Sequence, residues 1–100
     1  MNTIQRIFDV IKDRQAHPRE GSYTAHLFEK GPHEIAKKVG EEAVEVVLAA
    51  AAQGRERLTA EVADLAYHVL VLLAAHDLAP DDIAAELEAR FGGQHLRGDE

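Results

Sequence analysis

The sequence predicts a single all-α domain, and three observations support that fold class. Apolar residues recur at helical spacing in almost every segment, whereas no run alternates polar and apolar residues for long enough to form a strand. Proline or glycine separates most of these segments, and these residues typically start and stop helices. With 100 residues, 46% of them hydrophobic, the chain has enough apolar material for one packed domain.

The first two predicted helices flank a break at residues 17–21. Four apolar residues share one face of the first helix: Ile4, Ile7, Phe8 and Ile11. Thr3 is placed to cap this helix, and the break ends it because it contains proline and glycine. Ser22 is placed to cap a short second helix that runs to about Glu29 and stops at Gly31.

The third and fourth predicted helices are long and strongly apolar. The third begins at Pro32 and ends near Gln53, and the fourth covers about 56–76. From Ala43 onward the third helix is apolar on nearly every side, and the stretch 69–75 is apolar on every side of the fourth. A helix of this kind is buried, either in its own core or against a second chain.

A last helix is predicted to open at Pro80, to end at 92–93, and to carry three apolar residues on one face: Ile83, Leu87 and Phe91. The tail at 94–100 is expected to fray, which leaves one domain at 1–93 with about four to five helices. Two helices that are apolar on every side cannot both be covered by three short neighbours. We therefore expect a homodimer to complete the core.

Composition and charge argue against several classes of partner. The net charge of −7 repels a phosphate backbone, so we expect no nucleic acid to bind. No cysteine is present, which excludes disulfides, zinc ribbons and thiol nucleophiles. The first residues lack the apolar stretch of a signal peptide, and the longest apolar run, 69–75, is far shorter than the ~20 residues of a membrane span. A cytoplasmic protein with no membrane partner is expected.

Acidic residues interrupt the two apolar helices. Glu42 and Glu45 are three residues apart, as are Glu61 and Asp64, so each pair forms one edge of its helix. If the helices form an antiparallel hairpin, the two edges can face each other, and four carboxylates in a poorly hydrated site repel. A divalent cation relieves that repulsion, and oxygen ligands favour Mg²⁺ or Mn²⁺ over zinc and copper.

Two other interpretations stay open, one for the carboxylates and one for His68. Most glutamate clusters on helices are solvated acidic faces, although the apolar surroundings argue against that here. His68 follows Asp64 by four residues, and a histidine in this setting is more often a packed core residue than a ligand. Neither the Glu-x-x-His spacing of di-iron bundles nor the His-Glu-x-x-His spacing of zinc proteases occurs.

Basic and hydroxyl groups cluster just before the first acidic pair. Three lysines are candidates for neutralising a polyphosphate together with the metal: Lys30, Lys37 and Lys38. Their ordinary alternative is pairing with glutamates four residues away. Three hydroxyls lie in one run, at Ser22, Tyr23 and Thr24. No glycine-rich loop of the Walker type occurs, which excludes a P-loop NTPase.

Several motifs carry a family resemblance that runs from about Ile4 to Phe91. They are SYTA at 22–25, LF at 27–28, KG at 30–31, IAKKVGEEAVE at 35–45, EVADL at 61–65 and YH at 67–68. Together they closely resemble the phosphoribosyl-ATP pyrophosphohydrolases of histidine biosynthesis. The paired Glu-x-x-Glu and Glu-x-x-Asp motifs resemble the signature of the wider all-α superfamily of MazG-like nucleotide pyrophosphohydrolases.

The resemblance implies a MazG-like helical bundle, a homodimer and a specific reaction. Water would attack phosphoribosyl-ATP between its α and β phosphates and release pyrophosphate and phosphoribosyl-AMP. Four carboxylates are implied to hold Mg²⁺: Glu42, Glu45, Glu61 and Asp64. Glu41 is the implied group that orients or deprotonates the water, and the three lysines and three hydroxyls are implied to bind the substrate.

Two other functions stay open at this level. A house-cleaning pyrophosphatase of the MazG type would use the same metal site on other nucleoside triphosphates. A non-catalytic helical module would use its apolar faces to bind a partner, and it would release no pyrophosphate from any nucleotide.

Overall fold

The computed structural model describes residues 2–92 and confirms the all-α fold class. Within this range the chain forms five helices and no strand. Their bounds are α1 Thr3–Ala16, α2 Tyr23–Lys30, α3 Pro32–Ala52, α4 Gly54–Ala75 and α5 Pro80–Phe91. Met1 and Gly93, which the predicted domain includes, and the tail at 94–100 lie outside the described residues.

Side-chain caps set the start of the first two helices. The predicted cap of α2 is confirmed, since Ser22 Oγ accepts a hydrogen bond of 3.1 Å from the Ala25 N–H. The predicted cap of α1 is wrong by one residue. Asn2 Oδ1 accepts a hydrogen bond of 2.8 Å from the Gln5 N–H, and Thr3 is the first helical residue.

Gly31 joins α2 to α3 in a conformation that favours glycine. Its φ of 97° lies in the left-handed region, which residues with a Cβ rarely adopt. Pro32 follows as the first residue of α3, as predicted. Its fixed φ suits a helix start, and a backbone N–H at this position would have no partner within the helix, so proline loses no hydrogen bond there. This turn sets the direction in which α3 leaves α2.

The helices α3 and α4 form an antiparallel hairpin in which only Gln53 separates them. Gly54 has a φ of 86°, so the chain reverses through a glycine at the first residue of α4. Because the reversal needs so few residues, α4 begins before its predicted start near Glu56. Of the described helix pairs, these two make the most extensive contact.

The core lies where α1 and α2 cover the end of the hairpin away from Gln53. Its buried members are Phe8, Ile11, Leu27, Ile35, Leu70, Val71, Leu73 and Ala74. The apolar face predicted for α1 is only half buried, since Ile4 and Ile7 remain exposed.

The half of the hairpin nearest Gln53 is left uncovered by this chain. Four of its apolar side chains are between 45% and 65% exposed: Val44, Val47, Leu48 and Val62. α5 also contributes no buried residue, and the apolar face predicted for it is exposed. One chain therefore does not bury the apolar surface that the sequence pattern predicts to be buried.

Helix α4 is the one helix in residues 2–92 that is long and apolar enough to cross a membrane, judged by length and composition. The central helix of a packed domain passes the same test. Here α4 supplies half of the buried core and also carries Glu61 and Asp64, and 28% of its apolar window is buried within this chain.

Candidate active site

One residue of each acidic pair, Glu42 on α3 and Asp64 on α4, meets the other across the hairpin. A carboxylate oxygen of Glu42 lies within 4.8 Å of one of Asp64, so these two residues are level. The other acidic residue of each pair, Glu45 on α3 and Glu61 on α4, lies three positions nearer Gln53, which is about 4.5 Å along the helix axis. Since the helices are antiparallel, Glu45 and Glu61 are level with each other as well. Within the described residues, however, neither Glu45 nor Glu61 belongs to the cluster of ligand atoms that Glu42 and Asp64 form.

Glu42 and Asp64 form, together with His68, a cluster suited to a metal ion. Their ligand atoms lie within 4.8 Å of one another. Glu42 and His68 are buried, whereas Asp64 is exposed. Ligand atoms of one Mg²⁺ ion lie about 2.1 Å from the metal and hence at most ~4.2 Å apart, so a small contraction brings the carboxylates to that spacing. The two carboxylates thus fit a divalent ion that enters from the Asp64 side.

Glu61 is buried and has its own cationic partner. Arg57, one turn earlier on α4, forms an ion pair with it, in which Arg57 Nη2 lies 2.7 Å from Glu61 Oε2. An unpaired buried carboxylate is costly, and the ion pair with Arg57 offsets part of the cost of burying Glu61. Arg57 is absent from the predicted site residues, although the spacing of four residues before Glu61 is a signal that indicates the pair.

Lys38 is the lysine that contacts the acidic residues. Its Nζ lies 3.5 Å from Glu42 Oε2 and 3.7 Å from Glu41 Oε1. Burial alone lowers the pKa of Lys38, but Tyr23 and the two carboxylates outweigh it, so the pKa lies above its ordinary value. Lys38 therefore stays charged and partly neutralises Glu42.

A pocket of about 220 Å³ adjoins this cluster. It is lined by Tyr23, His26, Leu27, Lys30, Glu34 and Lys38. Two of the three predicted lysines thus share one pocket, whereas Lys37 is exposed and does not line it. Glu41 and Glu45 are also exposed. Lysines beside carboxylates make the pocket suited to an anionic group that arrives with a bound cation.

All three hydroxyls that the sequence predicts to bind substrate make hydrogen bonds within the protein. Ser22 caps α2, Tyr23 Oη lies 3.1 Å from His68 Nε2, and Thr24 Oγ1 bonds to Tyr67 Oη. Burial raises the pKa of the Tyr67 phenol, and the bond to Thr24 offsets this only in part. Two adjacent residues of α2 thus meet two adjacent residues of α4, which helical periodicity does not reveal.

Comparison with known proteins decides the family. The sequence model of one family, described as phosphoribosyl-ATP pyrophosphohydrolase, matches residues 4–91. The chain belongs to this family. Proteins named phosphoribosyl-ATP pyrophosphatase include one from Pelotomaculum thermopropionicum, which is 55% identical over 87% of this chain and 89% of its own length. Another, from Sulfurisphaera tokodaii, is 48% identical over 90% of this chain and 96% of its own length.

The phosphoribosyl-ATP pyrophosphohydrolase match spans all five helices and every predicted site residue. The resemblance inferred from the sequence motifs is therefore confirmed. In this member of the family, α3 and α4 carry the acidic pairs, whereas α2 and α3 carry the lysines of the pocket. The two parts of the candidate site meet through Lys38 and through the contacts of α2 with Tyr67 and His68.

Proposed function

We propose that the protein hydrolyses phosphoribosyl-ATP to phosphoribosyl-AMP and pyrophosphate, the second step of histidine biosynthesis. One water molecule is consumed, the anhydride bond between the α and β phosphates breaks, and pyrophosphate leaves. The observation that supports the proposal is the cluster of Glu42, Asp64 and His68 beside a pocket lined by Lys30 and Lys38. The relatives named phosphoribosyl-ATP pyrophosphatase support the choice of substrate.

The proposed cofactor is Mg²⁺, with Mn²⁺ as a substitute, because oxygen donors favour hard divalent ions. Four carboxylates are proposed to hold it: Glu42, Glu45, Glu61 and Asp64. When bound, the metal polarises phosphoryl oxygens and lowers the pKa of a coordinated water. Arg57 is largely exposed, so it can move aside when Glu61 turns to the cation.

The lysines and Glu41 have separate proposed tasks. Lys30 and Lys38 bind the phosphates in the pocket and counter the charge that builds on the leaving pyrophosphate. Lys37, outside the pocket, adds positive charge near its entrance. Glu41 is exposed and adjoins Glu42, and we propose that it accepts the proton of the attacking water. Ser22, Tyr23 and Thr24 support substrate binding by holding α2 in place.

We also infer a homodimer in which the partner covers the apolar half of the hairpin near Gln53. Exposed apolar patches of this kind mark interaction surfaces, and Val44, Val47 and Leu48 form one on α3. Glu45 lies on the same stretch of α3, so the partner approaches the metal site. Phosphorylated nucleotides do not cross membranes unaided, and we therefore propose a cytoplasmic enzyme.

The test is the release of pyrophosphate from phosphoribosyl-ATP with Mg²⁺ and with a chelator, beside a panel of ribo- and deoxyribonucleoside triphosphates. We expect release that requires the metal and that is fastest with phosphoribosyl-ATP. Faster release from the ordinary triphosphates would instead favour a house-cleaning pyrophosphatase. No release from any nucleotide would favour a non-catalytic helical module.

A further inference from the structure

His68 belongs to the acidic cluster, yet both of its ring nitrogens are already engaged. Nδ1 lies 2.8 Å from the backbone carbonyl oxygen of Asp64, and Nε2 lies 3.1 Å from Tyr23 Oη. A carbonyl oxygen only accepts hydrogen bonds, so a neutral ring carries its single proton on Nδ1, and the Tyr23 hydroxyl then donates to Nε2. A metal ion can bind His68 only after one of these two bonds breaks.

The packing around His68 holds the ring in this orientation. The residue is 3% exposed. Its ring meets that of Tyr67 edge-on, with 4.9 Å between centroids and 81° between planes, and that of Tyr23 at 5.9 Å and 79°. His68 Nδ1 also lies 4.0 Å from Asp64 Oδ1, but moving the imidazole closer to bind a metal ion would break these ring contacts as well.

Hydrogen bonds to α4 add to the apolar packing of Leu27 in fixing the position of helix α2. It has 8 residues, and helices of this length are not stable by themselves in water. Its backbone approaches α1 and α3 most closely, so the side chains of Tyr23 and Thr24 supply its hydrogen bonds to α4. Lys30 is the last residue of α2 and lines the pocket, so the position of this helix determines where the Lys30 side chain lies.

We propose that His68 is a positioning residue for the hydrolysis and not a metal ligand. It holds the Tyr23 hydroxyl, and through it α2, so that Lys30 faces the phosphates beside the metal site. This inference rests on the proposed function. Because the Tyr23 hydroxyl donates to His68, its oxygen presents only lone pairs to the pocket. It therefore accepts from Lys38 or from a substrate hydroxyl or amino group, and it does not donate to a phosphate.

Three substitutions separate positioning from metal binding. The side chain in His68→Gln is long enough to place an acceptor near the position of Nε2, so the bond from Tyr23 is kept. The shorter side chain in His68→Asn reaches only the Asp64 carbonyl. Tyr23→Phe removes the hydroxyl but keeps the aromatic ring, and it serves as the matched control for His68→Asn.

We expect all three variants to bind Mn²⁺ with the affinity of the wild type in calorimetric titrations. With Mn²⁺ present, inorganic pyrophosphate should bind about tenfold more weakly to Tyr23→Phe and to His68→Asn, the factor that corresponds to one lost hydrogen bond to a positioned group. His68→Gln should stay within about threefold of the wild type. The KM for phosphoribosyl-ATP should rise by the same factors, with kcat little changed.

The double variant Tyr23→Phe/His68→Asn should bind pyrophosphate no more weakly than the weaker single variant, because both changes remove the same bond. Losses that multiply would overturn the positioning role. Tenfold weaker binding of Mn²⁺ to both His68 variants would also overturn it, by making His68 a ligand. If His68→Asn does not fold, Tyr23→Phe and His68→Gln still decide, since they are expected to differ. A wild type that does not hydrolyse phosphoribosyl-ATP would refute the proposed function. The titrations with Mn²⁺ and with pyrophosphate would still show whether His68 binds the metal or positions α2.

Discussion

The two halves of the α3–α4 hairpin are equally apolar in sequence but differ in burial. In the half that begins at Pro32, α1 and α2 cover the hairpin, and Ile35 and Val71 are fully buried. In the half near Gln53, Val47 is 65% exposed. The difference follows from length, since α1 and α2 have 14 and 8 residues whereas α3 and α4 have 21 and 22. An apolar pattern therefore predicts that a helix face is buried, but it does not tell whether the same chain or a second chain buries it.

The four carboxylates lie across the boundary between these halves. On α3, Glu42 is buried and Glu45, one turn closer to Gln53, is exposed. On α4 the order is reversed, since Glu61 is buried and Asp64 is exposed. Repulsion and desolvation weigh more on a buried carboxylate, so on α3 a cation stabilises Glu42 more strongly than Glu45. This contrast makes the effects of matched substitutions in the two halves predictable.

The largest effect is expected for Glu42→Gln, on the covered side. It should lower kcat/KM at least about a hundredfold, since even residues that only orient metal ligands cost up to that factor. Glu86→Gln is the matched control, because Glu86 is an exposed carboxylate paired with Arg90 on α5. It should leave kcat/KM unchanged. A Glu42 variant as active as this control would remove Glu42 from the metal site.

A charge in the uncovered half should break the dimer. Leu48 and Val10 are each 49% exposed in one chain, but only Leu48 lies in the apolar half near Gln53. Leu48→Glu should therefore reduce the sedimentation mass from two chains to one, whereas Val10→Glu should leave it at two. Equal masses for both variants would place the interface elsewhere. A wild type that sediments as one folded chain at micromolar concentration would exclude the dimer.

Shortening a valine in each half compares their packing directly. Val71→Ala, in the covered half, should lower the free energy of unfolding by about 2 kcal/mol, because it leaves a cavity in the core. Val47→Ala should cost less, about 1 kcal/mol or below, because its own chain leaves Val47 65% exposed and only the partner subunit can add to its packing. Urea unfolding at equal protein concentration measures both values. Equal losses would mean that the two halves are packed equally well.

The smallest expected effect concerns Glu45→Gln, in the uncovered half. Without metal, removing one negative charge relieves repulsion, so the Tm of the variant should equal or exceed that of the wild type. With Mg²⁺ the order should reverse. A ligand at ten times its Kd stabilises by about 1.4 kcal/mol, and the variant should lose most of that gain. Thermal melts with chelator and with Mg²⁺ measure the shift, and an equal shift in both proteins would exclude Glu45 as a ligand.

Much of the fold follows from the sequence, and less of the site does. The helices and the start of α3 at Pro32 are readable from periodicity and spacing, whereas spacing allows the two acidic edges to face each other without deciding it. The bond between Tyr23 and His68 joins residues 45 positions apart, and that between Thr24 and Tyr67 joins residues 43 apart. Periodicity tells which face of a helix is apolar, but it does not tell which residue of another helix a hydroxyl will meet.

The sequence by itself determined the helices and the acidic pairs, because both depend on residues within about four positions of each other. Only the tertiary structure decided that the hydroxyls of Ser22, Tyr23 and Thr24 are used inside the protein, and that both nitrogens of His68 are engaged. It also decided which half of the hairpin stays uncovered. These properties depend on how far α1 and α2 reach across the hairpin, which is a matter of packing between distant segments.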